Sequence, residues 1–440
     1  MILILFVISC AAAYISYQYS YLKLLSPTFW ASAMFMLFSF IYIVTFYNMK
    51  SDITAATVLL ISGFLLVTSA GEFIGSKVTL FRKNKKSSFF EQSIDSRTEI
   101  YVAKWKVYAL TAVLMIVAAD RFRNLLKAAL AYARVERFDG VMSMMNAARR
   151  AFVDSNRSLV LGNTLFNQFV YLCEISTYIF VFLFLWNMIN GKKRSWYLLL
   201  PLIPDFIMRL VTTSRTAFII LFAAIVISYF SILIKRNRLK RVHIPKQLIL
   251  VVFIFAAVFM IYGRVRNDAS SIPIVSYLQM YTCSSIYALD HLLQKGWPPN
   301  PYFGFYTMQN IYNQLGIRHD IIRTWSEMVT FSKDNMHANL YTSLSFPIID
   351  FGIAGCLLLR FFAAVIVTKI LLGFLNRDCK SEWLYVYLYF AIVGLYCYLY
   401  SPLGDVFCDY FFNPSLMIRY LVYAWFLVKF YLRPIIRKRG

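Results

Sequence analysis

Runs of about twenty apolar residues, separated by short polar turns, dominate the chain. A helix crossing the hydrocarbon core needs about 20 such residues, each rising about 1.5 Å. Eleven segments meet that pattern: roughly 2–22, 28–48, 53–75, 105–120, 164–189, 196–212, 216–234, 247–263, 341–372, 384–401 and 415–432. The fourth is the weakest, because only Val107–Ala119 is uncharged. It spans only with Lys104, Trp105 and Lys106 at the interface. The pattern predicts an all-α integral membrane protein with about eleven transmembrane helices, forming a single polytopic domain over 1–440.

Basic residues set the orientation, because lysine and arginine collect in cytoplasmic loops. The clusters are Lys77–Lys106, Lys192–Arg194, Lys235–Lys246, Arg377–Lys380 and Arg433–Arg439. With eleven spans they all fall on one side, leaving the N-terminus outside and the C-terminus inside. Deleting the fourth span moves the densest later clusters to the wrong side. Residues 1–22 lack the basic start of a signal peptide and run directly into the next span. Val7-Ile8-Ser9-Cys10 is a weak match to a lipoprotein cleavage box, and the missing basic start argues against it.

Two outer segments remain. Residues 121–163 read as a periplasmic amphipathic segment. Phe122, Leu125, Ala129, Tyr132 and Met145 recur at helical steps, with arginines on the other faces. Residues 264–340 read as a large, aromatic, turn-rich periplasmic loop between spans eight and nine. Tyr277, Tyr281, Tyr287, Trp297, Tyr302, Tyr306 and Tyr312 within it suggest a surface on which sugar rings pack. Of the seven cysteines only Cys283 and Cys408 fall near the outer side, where a single disulfide is the one pairing open to them.

Composition agrees with the span pattern and adds one puzzle. Apolar residues make up 60% of the 440 and charged residues only 15%, too greasy for a soluble fold. Yet the net charge is +24, from 45 Lys and Arg against 21 Asp and Glu. Without a soluble basic domain this does not suggest nucleic acid. Most arginines but few lysines lie on the outer side. Positive-inside bias alone would not split the two types. Arginine grips phosphate with a planar fork, so the split suggests a phosphate or pyrophosphate ligand at the outer leaflet. Snorkelling to lipid headgroups is the plainer account of any single arginine in 121–157.

The motifs narrow the chemistry. No P-loop, no D-x-D pair and no H-E-x-x-H occurs, and His243, His291, His319 and His337 lack metal-ligand spacing. No metal and no cofactor are expected. Arg215 sits in Thr212-Thr213-Ser214-Arg215-Thr216-Ala217, a short outer turn where a charge so near hydrocarbon is costly. Arg264 and Arg266 leave the eighth span at the outer surface. His337 precedes the ninth span, and a histidine at the membrane edge can act as a general base. Asp350 lies in the outer part of that span, in Asp350-Phe351-Gly352-Ile353-Ala354-Gly355 after Pro347, where the glycines allow close approach of a neighbouring helix or a substrate. Glu174, Asp205 and Glu72 also lie within spans. Glu174 is a reserve candidate for base or arginine partner, with a structural ion pair the bland alternative.

Ser214-Arg215-Thr216-Ala217 after a short turn, Tyr281–Asp290 with Gly304-Phe305-Tyr306-Thr307, Asn339-Leu340-Tyr341-Thr342, and Asp350-Phe351-Gly352 together resemble the O-antigen polymerases, the bacterial oligosaccharide repeat-unit polymerases. The resemblance covers most of the chain as a pattern of spans and loops, and about a tenth of it as motifs. It implies an integral-membrane glycosyltransferase type of fold in the bacterial inner membrane, with its site facing the periplasm. The implied reaction moves a glycan from undecaprenyl pyrophosphate to a sugar hydroxyl of the next lipid-linked unit, without metal. Arg215, His337 and Asp350 are then the catalytic candidates. Arg264, Arg266, Asn339, Tyr341, Arg134 and Arg137 are the substrate-binding ones. The implied partners are the lipid-linked donor and acceptor, the bilayer and a chain-length regulator. An O-antigen ligase shares fold and donor and is the nearest alternative. A transporter of the lipid-linked unit is disfavoured, because no internal repeat is visible and ionisable residues gather on one side. A structural scaffold would need neither Arg215 nor Asp350.

Overall fold

The computed structural model describes residues 1–20, 22–77, 98–138, 140, 143–144, 147–148, 164–189, 195–211, 215–235, 274–297, 302–317, 328–339, 341–379 and 381–438. The elements, in chain order, are α1 (Ile2–Tyr19), α2 (Pro27–Val44), α3 (Ala55–Lys77), β1 (Thr98–Tyr101), α4 (Lys104–Ala133), α5 (Thr164–Ile189), α6 (Leu202–Val211), α7 (Arg215–Lys235), α8 (Ile274–Lys295), α9 (Gln309–Gln314), β2 (Val329–Thr330), β3 (His337–Ala338), α10 (Ser345–Leu375), α11 (Glu382–Leu399), α12 (Val406–Phe411), α13 (Pro414–Phe426) and β4 (Ile435–Lys438). The described residues are all-α apart from two small antiparallel pairs, β1 with β4 and β2 with β3. Among the described residues, eight helices are long and apolar enough to cross a membrane. Contacts divide the chain into two compact units.

The first unit comprises Met1–Lys86, Ile272–Gly373 and Val393–Ile418. α1, α2 and α3 pack side by side. α2 starts at Ser26, whose hydroxyl accepts from the amide of Phe29 at 3.1 Å, with Pro27 at the first helical position. The buried carboxylate of Glu72, from α3, meets this helix start. It accepts from Ser20, from Ser26 at 2.6 Å and from Thr28 Oγ1 at 2.9 Å. A carboxylate at a helix N-terminus is stabilised by the helix dipole, so Glu72 is satisfied structurally. α3 then packs on α10 through glycine. A Cβ on Gly71 would fall 2.4 Å from the Phe361 carbonyl oxygen and 2.9 Å from Ala364 Cβ. Small residues draw apolar helices together where lipid offers no hydrophobic drive between them.

α8 corrects the expectation of a continuous loop over 264–340. Its 22 residues lie across the turn between α2 and α3. Gln279 receives Asn48 Nδ2 at 2.9 Å and donates to the Thr45 carbonyl at 2.8 Å. One helical face further on, Asp290 accepts from Thr54 N at 2.8 Å and Thr57 Oγ1 at 2.7 Å, capping the start of α3. The helix is rich in Ser, Thr and Gln, so it lacks the apolar run that marks a span, yet its inner face is buried. Tyr277 is fully buried there, which removes it from any glycan surface. Cys283 and Cys408 are both free and buried, so the disulfide open to them is not formed.

α10 is interrupted at Gly352, which takes φ 70 and ψ 180. That left-handed backbone is what glycine supplies here. A Cβ at Gly352 would meet nothing within 4 Å, so among the described residues no neighbouring helix packs against it.

The second unit comprises Ser87–Ser271, Phe374–Ile392 and Arg419–Gly440. β1 pairs with β4, Thr98 opposite Lys438, and Asn187 at the end of α5 bonds both the N–H and the C=O of Ile100 at 3.1 and 2.9 Å. α4 runs unbroken through residue 121 to Ala133, so the expected amphipathic segment begins as a continuation of the fourth hydrophobic stretch. Leu125 and Ala129 pack there with Ala147, Ala148, Phe138 and Ile207. The expected span 196–212 is not one helix. A 3-10 turn at Trp196–Leu199 precedes α6, whose ten residues reach about 15 Å, half the bilayer core. Pro201 and Pro204 lack the donors an uninterrupted helix would use. Residues 247–263 lie outside the described residues.

A candidate arginine, tyrosine and carboxylate site

The buried polar groups of the second unit converge near the start of α7. On α5, Glu174 and Tyr178 are four residues apart and share a face, and the Tyr178 hydroxyl donates to Glu174 Oε1 at 2.8 Å. The Tyr420 hydroxyl of α13 donates to Glu174 Oε2. The Tyr420 ring stacks on Tyr389 of α11 at 4.1 Å, and Tyr389 stacks on Tyr178 at 5.9 Å. Three helices thus hold one carboxylate through a column of three tyrosines.

α6 brings the charge. Asp205 and Arg209 are again four residues apart, and Arg209 Nε bonds Asp205 Oδ2 at 2.7 Å in a buried ion pair. Arg209 also donates to the carbonyl of Ala217, in the first turn of α7, and lies 3.5 Å from the Tyr178 hydroxyl. α7 begins at Arg215, two residues before the carbonyl that Arg209 reaches. A helix start presents unpaired N–H groups and favours an anion. Chemically, the cluster offers a held carboxylate able to take a proton and a cation beside a helix N-terminus.

The other expected site residues are placed as follows. Arg215 and Glu174 fall in the second unit with Arg134 and Arg137. Arg134 ends α4 in a left-handed conformation, φ 54, and both Arg134 and Arg137 are exposed. Arg264 and Arg266 lie outside the described residues. His337, Asn339, Tyr341 and Asp350 fall in the first unit. His337 is exposed on β3, its Nδ1 bonded to Thr330 Oγ1 on β2 at 2.7 Å. Asn339 is exposed, while Tyr341 is buried against Ala288 and Val329. Asp350 accepts the amides of Tyr306 at 3.0 Å and Thr307 at 2.6 Å and the Thr307 hydroxyl. It therefore fixes the 303–307 turn, where Tyr306 stacks on Phe346 at 5.7 Å and Phe303 packs on Phe351 at 4.8 Å.

The first unit holds a second buried pair. Arg360 of α10 binds Asp405, the N-cap of α12, at 2.8 Å and donates to the Ser343 carbonyl. Sequence reasoning missed Arg209, Arg360, Asp405 and the tyrosine column. The signal for the cations was present: a lone arginine inside an apolar run needs a partner, and Asp205-x-x-x-Arg209 supplies one on the same helix face. The tyrosines come from separate helices and carry no such local signal.

Among the described residues, no three His, Cys, Asp or Glu side chains are grouped as a metal site would need. No family model matches the chain, and no curated protein and no solved structure matches it.

Proposed function

We propose that this protein is a bacterial inner-membrane, metal-independent glycosyltransferase. It joins undecaprenyl-pyrophosphate-linked oligosaccharide units into O-antigen or a related surface polysaccharide. The observation that carries the reading is the cluster of Glu174, Arg209 and the α7 start at Arg215 within one unit. In the proposed eleven-span topology this end faces the periplasm. The pairing of β1 with β4 supports that topology, because it joins two segments from basic clusters assigned to the cytoplasm.

The reaction needs an anion holder and a base. An acceptor sugar hydroxyl attacks the anomeric carbon of the donor glycan. The bond from that carbon to the pyrophosphate oxygen breaks, and the lipid pyrophosphate leaves with the bonding electron pair. Arg215, with Arg264 or Arg266, stabilises the departing charge. Glu174 takes the hydroxyl proton as the base lying in the same unit as Arg215. His337 is the other base the resemblance names.

A strain lacking the gene and complemented with Arg215→Ala, Glu174→Gln or His337→Ala tests this. Loss of the polysaccharide ladder, leaving lipid cores with one repeat unit, supports polymerisation. Cores with no unit at all point to the ligase. Normal ladders from all three variants overturn the reading.

A further inference from the structure

Two arginines of the second unit border the site above, whose Tyr420 packs edge-on against Tyr171 at 5.8 Å. Arg121 of α4 and Arg419 of α13 both reach the start of α5, Arg121 at Asn167 and Arg419 at Tyr171. The Arg419 guanidinium lies 5.3 Å from the Tyr171 ring centroid. Arg121 is half-buried, and its one hydrogen bond among the described residues is a 3.5 Å contact to Asn167 Oδ1. Neither arginine forms an ion pair among the described residues, unlike Arg209 with Asp205 and Arg360 with Asp405. The amide oxygen of Gln168, beside Asn167, is taken by Tyr423 at 2.9 Å. The NH2 groups of Asn167 and Gln168 make no hydrogen bond among the described residues.

We propose that Arg121, at Asn167, and Arg419, at Tyr171, form a subsite for a phosphoryl anion, with Asn167 and Gln168 as neutral donors. Two like charges drawn partly out of water beside one helix repel each other, and neither is ion-paired with a carboxylate among the described residues. An external anion does. Guanidinium forks match the oxygens of phosphate and pyrophosphate better than a point charge would. Burial lowers the Arg121 guanidinium from its usual value, the cost an anion would offset. The residues come from three elements, α4, α5 and α13, so the subsite exists only in the folded unit.

The anion has two sources: the pyrophosphate of a lipid-linked substrate or the headgroup of an ordinary anionic lipid. The first rests on the proposed function, while the subsite itself does not. The full chain in phosphatidylcholine nanodiscs is titrated with inorganic pyrophosphate by calorimetry. In parallel, protein from nanodiscs containing phosphatidylglycerol is assayed for retained lipid by native mass spectrometry. Wild type is expected to bind one of the two, with Arg121→Gln and Arg419→Gln each weakening it about tenfold or more. Pyrophosphate binding lost in the variants assigns the substrate source, and retained phosphatidylglycerol lost in them assigns the lipid source. Arg121→Lys with Arg419→Lys keeps both charges and guards against misfolding. It is expected to bind more weakly than wild type and more tightly than either Gln variant. Wild type binding neither probe, or Gln variants binding as wild type does, overturns the subsite. Binding is read on purified protein and polymerisation from cellular ladders, so either proposal can fail alone.

Discussion

The Arg360 guanidinium and the Asp405 carboxylate meet at 2.8 Å with both side chains buried, joining the middle of α10 to the cap of α12. Removing one partner leaves a buried charge alone. Arg360→Ala and Asp405→Ala are each expected to cost about 3–5 kcal/mol of stability. The double variant should cost less than the sum of the two. Unfolding of the three purified proteins in a denaturant series measures the coupling, and additive costs would show that the pair is not coupled.

Asp350 holds the 303–307 turn through two backbone amides and a hydroxyl. Asp350→Ala is expected to free that turn while leaving the helices intact. Phe303 is already 68% exposed, so chymotrypsin should cut there faster in the variant. Asp350→Asn, which keeps one acceptor oxygen, should fall between wild type and Asp350→Ala. Unchanged cleavage rates would remove the positioning role.

Glu174 is gripped by two phenols, and the two kinds of substitution separate its roles. Glu174→Gln removes the proposed proton acceptor and is expected to slow the proposed glycosyl transfer about 10²-fold or more. Tyr420→Phe removes one hydrogen bond and leaves the stacked ring, so its loss should be nearer tenfold, in line with about 0.5–1.5 kcal/mol for one bond. Turnover of lipid-linked units by purified protein gives both rates. Equal losses would make Glu174 a structural group only.

The Cys283 thiol is pushed up to about 11 by burial, against contributions from Thr282 and Thr45 that lower it. The unfolded thiol ionises near 9.0, so between about pH 9 and 11 the unfolded chain loses a proton that the folded chain keeps. Stability should therefore fall as pH rises through that window, and Cys283→Ala should flatten the fall. Thermal melts of both proteins at pH 8 and pH 10.5 measure the difference. Parallel falls in the two would exclude Cys283 as the cause.

The spans were legible wherever apolar runs were long, as in α1, α2, α3, α5, α7, α10, α11 and the run that α13 begins. Hydropathy reads composition along the chain. It failed at α6, where prolines cut an apolar run short, and at α8, where a polar sequence is buried by its neighbours. The candidate site was legible in part for the same reason. Glu174 and Arg215 drew attention as charges near apolar helices. Arg209 was hidden in a run read only as a span.

Sequence alone determined that this chain is all-α and built for a membrane. Backbone groups in lipid must be satisfied internally, and twenty apolar residues in a row have few other solutions. Tertiary structure alone decided which partners each of these charges meets. Partnership depends on residues far apart in the chain: Glu72 with Ser26, Asp290 with Thr57, Glu174 with Tyr420, Asp350 with Thr307 and Arg360 with Asp405. A carboxylate's surroundings, not its position in a span, separate one that holds a helix start, such as Glu72, from one that holds a turn, such as Asp350.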